Sequence, residues 1–172
     1  MAQRHLLRPD AQRGSSATGI TIRSRVEARR AIEGACEVIP AFDEHGYLPP
    51  GIHPATLDEI EARFGNEPEL RRVQMESLRW LVEIAQRAGV ERLIVNGSFV
   101  TDEFEPNDVD CVLLASPDFP RDTEAEAELI AGLPFLQIDI VKQADFDVMV
   151  ETIFATDRRF RRKGMLEVVP WN

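Results

Sequence analysis

Two aspartates stand one residue apart, Asp108 and Asp110, in the stretch IVNGSFVTDEFEPNDVDCVLL from Ile94 to Leu114. They sit where the chain turns apolar, and a carboxylate near a core costs several kcal/mol unless it has a partner. In a strand, side chains i and i+2 share a face, so the two carboxylates project side by side while Val109 and Cys111 turn the other way. Two anions held that close require a proton or a cation between them. A third acid, Asp139, stands alone between Ile138 and Ile140 in LQIDIVK. Three carboxylates on neighbouring strands describe a site for a hard cation. Magnesium takes oxygen ligands and completes its shell with water and substrate phosphates, a role that a nucleoside triphosphate fits. Gly97 and Ser98, at the end of the RLIV strand, are suited to seat such a phosphate: Gly97 allows close approach of the backbone, and the Ser98 hydroxyl with the following N–H groups can bind its oxygens.

The elements that must position these residues follow from pattern. ERLIVN, DVDCVLLA, FLQIDIV and MLEVV read as strands. Thr56, three residues before Glu59, has capping-box spacing and opens a short helix with Leu57, Ile60 and Phe64 on one face and Gly65 as its stop. After Pro68, the residues Leu70, Val73, Ser77, Trp80, Leu81, Ile84 and Ala88 recur at helical spacing up to Gly89. Further helical patterns cover 123–131 and 146–155. EVIPAFDEHGYLPPGIHP is too rich in Gly and Pro for a helix and reads as ordered loop and edge strand. The expected fold is α/β (α+β), a small mixed β-sheet flanked by helices.

The ordered set Gly97-Ser98, nine intervening residues, Asp108-Val109-Asp110 and then the apolar-flanked Asp139 resembles the signature of the DNA polymerase beta-like nucleotidyltransferase superfamily, which includes small bacterial "minimal" nucleotidyltransferases. The resemblance spans about residues 93–141, and FDEHGYLPPGIH and DRRFRRKGMLEV also look like segments of an uncharacterised family of small bacterial proteins related to these enzymes. It implies transfer of a nucleoside monophosphate from a nucleoside triphosphate to an acceptor, using two Mg2+ ions. On that resemblance Asp108 and Asp110 would bind both metals, Asp139 would complete the site of the metal that activates the acceptor, and Gly97 and Ser98 would hold the triphosphate tail. Many minimal members carry an Arg soon after the Gly-Ser pair. Here the sequence is SFVTDEFEPN, so the missing positive charge must come from Lys142, just past the third acid, or from the run Arg158, Arg159, Arg161, Arg162 and Lys163. The acceptor is not legible, and a chain this short implies that a homodimer or a partner protein walls it in. The alternative is a catalytically degenerate module that holds a nucleotide or a partner, such as one member of a toxin–antitoxin or defence pair.

Composition bounds these readings. The 172 residues carry 20 Lys+Arg against 30 Asp+Glu, a net charge of -10 that disfavours sequence-independent binding to nucleic acid or anionic membrane. Residues 1–35 are different material, with seven Arg against Asp10, Glu27 and Glu33 and a Gly-Ser-Ser-Ala-Thr-Gly centre. They read as a flexible basic arm ahead of a domain over 36–172. Cys36 and Cys111 show no metal or disulfide spacing, and no signal peptide or membrane span is evident, so a cytoplasmic protein with reduced thiols is expected. His53 reads as a loop-structuring residue, Trp80 as core, Trp171 as packing on the sheet edge, and Cys111 as an inert strand thiol.

Overall fold

The computed structural model describes residues 39–171; the basic arm expected over 1–35 and Cys36 lie outside them. Five strands, β1 (Gly51–Ala55), β2 (Val90–Asn96), β3 (Val109–Ala115), β4 (Leu136–Val141) and β5 (Gly164–Val168), form one mixed sheet in the order β1-β5-β2-β3-β4. β1 runs parallel to β5 and β3 parallel to β4, while β2 is antiparallel to both of its neighbours. Four helices complete the α+β fold: α1 (Leu57–Phe64), α2 (Glu69–Ala88), α3 (Thr123–Ala131) and α4 (Gln143–Val148). Among the described residues no helix is long and apolar enough to cross a membrane.

The local signals explain the helix ends. Thr56 accepts a hydrogen bond from the Glu59 N–H at 3.2 Å, and Glu59 accepts one from the Thr56 N–H at 2.7 Å, which closes the capping box of α1. Gly89 ends α2 in the left-handed region at φ 92°. The helix expected over 146–155 starts earlier, at Gln143, and finishes as a π turn over Met149–Ile153, with the Phe154 N–H reaching the Met149 carbonyl at 2.7 Å.

Alternation along the strands sorts side chains into two layers. Leu93, Val95, Val109, Cys111 and Leu113 face a core built with Ile60 and Phe64 of α1, Met75, Leu78 and Leu81 of α2, and Ala125 and Leu129 of α3. Ile94, Val112, Leu114 and Met165 face a smaller core capped by Phe146 of α4 with Val150 and Phe154. Both cores exclude water from their centres, and the second is the shorter along β3. His53 offers its ring nitrogen to the Pro49 carbonyl at 2.7 Å, in keeping with a loop-structuring role, and the Trp171 indole N–H donates to the Val90 carbonyl at the start of β2.

Candidate functional site

The row where the second core stops is where the polar residues begin. Asn96, at the end of β2, lies directly across from Asp110, and Asp110 in turn lies beside Gln137 of β4. Together with Gly97, Ser98 and Asp108 these residues line one wall of a cavity of about 740 Å³. Phe154, Thr156, Asp157, Arg158 and Lys163 line the cavity as well, with His45, Tyr47 and the segment 101–103.

Gly97 is set by the backbone and by its neighbour. Its φ of 77° with ψ -160° is a conformation open essentially to glycine alone. A Cβ there would stand 1.7 Å from Asp110 Oδ2, so the missing side chain is what lets the carboxylate lie against this turn. A single 3-10 turn, Ser98–Val100, follows Gly97, with the side chains of Phe99 and Val100 buried. Thr101 closes the turn by donating its hydroxyl to the Ser98 carbonyl at 2.7 Å.

Helix α2 holds this loop through two buried polar residues. The Arg71 guanidinium donates to the carbonyls of Phe64, Phe99, Thr101 and Glu103, and Gln74 donates to the Pro106 carbonyl at 2.6 Å. Burial lowers the Arg71 pKa from its ordinary value. Neither residue stood out in the sequence, because an Arg and a Gln on a helix read as solvent-facing; Gln74 falls three positions from Arg71 and one from buried Met75.

The expected site residues separate into two groups. Asp108 and Asp110 are half-buried and share the cavity wall with Gly97 and Ser98. Asp139 pairs with Val112, one pleat repeat further along the sheet, about 7 Å from the Asp110 row at the usual rise of a strand. It is exposed on the edge strand and does not line the cavity. Lys142 follows the far end of β4, five residues beyond Gln137 or about 16 Å along the strand, and is exposed there. Of the basic run, Arg158 and Lys163 reach the cavity, while Arg159, Arg161 and Arg162 are exposed outside its lining.

Electrostatics follow from that geometry. Burial raises the Asp110 pKa, and the charges of Asp108 and Asp139 raise it further, against the opposing pull of Lys163 and Arg158. Burial lowers the pKa of Lys163, with Asp110 and Asp157 acting to keep it charged. Asp157 organises the loop that delivers these cations: its carboxylate accepts from the N–H groups of Arg159 and Arg161 at 2.7 and 2.8 Å, and from the Tyr47 hydroxyl at 3.1 Å. The Arg161 N–H above all holds this carboxyl below the usual carboxylate range.

Among the described residues no group of three or more His, Cys, Asp or Glu side chains converges to hold a metal ion. The donor set widens when amides are considered. Asn96 is 3% exposed, its amide N–H bonds the Phe154 carbonyl at 3.1 Å, and its Oδ1 has no hydrogen-bond partner. An orphaned buried acceptor costs about 1–3 kcal/mol. Asn96 Oδ1 with the Asp108 and Asp110 carboxylates makes an all-oxygen set, whose chemistry fits magnesium.

Residues 40–169 match DUF6932, a family of unknown function. The chain belongs to that family. The match takes in the whole sheet and every cavity residue, and leaves out residues 1–39 and 170–172. No curated protein and no solved structure matches this DUF6932 chain.

Proposed function

We propose that the cavity binds a nucleoside triphosphate with divalent cations and transfers its nucleoside monophosphate to an acceptor hydroxyl. The observation that carries this reading is the meeting of opposite charges in one cleft: Asp108, Asp110, Lys163 and Arg158 all line it, together with the Gly97-Ser98 turn. Lys163 is half-buried in the cleft, with Asp110 and Asp157 acting to keep it charged, so a cation is in place to meet an incoming triphosphate.

In this reading Asp108 and Asp110 hold the cations, and Lys163 and Arg158 screen the triphosphate tail. Divalent cations bound there supply Lewis acidity, activating the acceptor hydroxyl and offsetting charge on the departing pyrophosphate. The chain itself orients the reactants: the Ser98 hydroxyl and the N–H groups of the 3-10 turn offer donors to phosphate oxygens, and the loop anchored by Arg71 fixes that turn. Attack is in line on the α-phosphorus, and no side chain acts as a covalent nucleophile.

The position of Asp139 outside the cavity favours a second reading, a module of the same shape that holds nucleotide without transferring it. One experiment tests both. The protein is incubated with cell extract, magnesium and each of four α-labelled triphosphates in turn. A labelled acceptor that disappears with Asp110→Asn supports transfer. Saturable triphosphate binding with no labelled product selects the holding module, and the absence of both overturns the nucleotide reading.

A further inference from the structure

We propose that Asn96 is the third oxygen ligand of the cation site, in the role that sequence order assigns to Asp139. The inference rests on reading the cleft as a cation site. Asn96 and Asp110 are cross-strand partners on β2 and β3, so their side chains leave the sheet on the same face and line the same cavity. Asp139 belongs to the next row down, beside Val112, and is exposed off the cavity wall.

The amide is already oriented. Its N–H donates to the Phe154 carbonyl at 3.1 Å, which leaves Oδ1 as the free atom. That oxygen exposes less than 1 Å² and has no partner, whereas buried acceptors are almost always satisfied. A hydrogen-bond donor needs about 2.8–2.9 Å of clearance from the acceptor, and a magnesium-sized cation binds oxygen at about 2.1 Å. A small cation therefore seats closer to Oδ1 than a hydrogen-bond donor can, and would satisfy it. Being neutral, the amide also adds an oxygen without adding a third negative charge to Asp108 and Asp110, which already repel.

Calorimetric titration of the full chain with Mn2+ alone, without nucleotide, tests the assignment. Wild type should bind; Asn96→Leu should weaken binding at least tenfold, Asn96→Asp should hold or tighten it, and Asp139→Asn should leave it within twofold. The Asp variant separates a ligand from a strut. It keeps an oxygen at Oδ1 but loses the N–H bonded to Phe154, so a purely structural Asn96 predicts that it weakens as the Leu variant does. Thermal melts without metal establish that each variant is folded, and if the Leu variant is not, the Asp and Asp139→Asn variants decide. Wild-type affinity in Asn96→Leu, weakened binding in Asn96→Asp, or loss in Asp139→Asn matching that in Asp110→Asn overturns the assignment while the cation site stands. Absence of Mn2+ binding by wild type overturns both.

Discussion

Asp110 and Cys111 are neighbours on β3 with opposite surroundings. Cys111 points into the layer under α1, α2 and α3, is fully buried, and has its thiol pKa pushed far up by burial. Asp110 points to the other side, where α4 and the π turn cover Val112 and Leu114, while Asp110 and Gln137 in the next row open onto the cavity. One face of the sheet thus carries the larger core, and the other face, where its smaller core ends, supplies the polar cleft. The pleat keeps the two functions apart by a single residue step.

That division is open to direct attack. On the packed face, Leu113 is 0% exposed among the side chains of the main core. Leu113→Ala should cost about 2–5 kcal/mol in urea unfolding, through lost burial and the cavity left behind. An effect below 1 kcal/mol would mean that this face is not the stabilising one. Next in size is Arg71, which belongs to the packed side but serves the cleft. Arg71→Met should cost about 3 kcal/mol, since four carbonyls lose the charged donor of a buried side chain. It should also loosen the 97–107 loop, read as faster amide hydrogen exchange at Phe99 to Glu103 than in the strands. Uniform exchange would show that the loop does not depend on Arg71.

The same division explains what the sequence could and could not disclose. Alternation in DVDCVLLA places Asp110 opposite to Cys111, and the Thr56–Glu59 spacing marks the start of α1, because both signals are local. Register is not local. Asp139 looks like a third ligand by its apolar flanks, but the parallel pairing of β3 with β4 puts it beside Val112. Lys142 is near that acid in sequence and is carried off by the direction of β4. Lys163 comes from the chain's other end because β5 runs antiparallel to β2, which sets its start near the end of β2 and the Gly97 turn. Asn96 left no signal, since an Asn before a Gly is an ordinary turn former.

Charges in the C-terminal run sharpen the contrast within the open face. Lys163 and Arg158 line the cavity, while Arg159 is exposed outside it. Lys163→Met should weaken binding of a magnesium-triphosphate complex about tenfold, a size typical of one charge-assisted contact. Arg159→Gln should change it less than twofold, as a solvated charge is worth little. Equal effects of the two substitutions, measured at two ionic strengths, would reduce the run to a general positive field.

The smallest stability change is expected at Asp110 itself, and its sign is what matters. Burial and the charges of Asp108 and Asp139 raise its folded pKa above the unfolded value of 3.8, with Lys163 and Arg158 offsetting part of the rise. The folded state therefore holds the proton more tightly, and the contribution of Asp110 to stability falls as pH climbs from the unfolded pKa through the folded one. At neutral pH the ionised group is a net cost. Asp110→Asn should leave the metal-free protein as stable as wild type at neutral pH or slightly more so, and should remove part of the decline in stability as pH rises above the unfolded pKa. Magnesium with triphosphate should then stabilise wild type and not the variant, because a ligand stabilises only the state it binds. Melts of both proteins across that pH range, with and without the ligands, measure all three effects. A loss of about 1–3 kcal/mol in the variant regardless of metal would instead mean that the carboxylate accepts hydrogen bonds essential to the turn at Gly97. In that case the open face would be a structural face like the other, and the case for chemistry at Asp110 would fall with it.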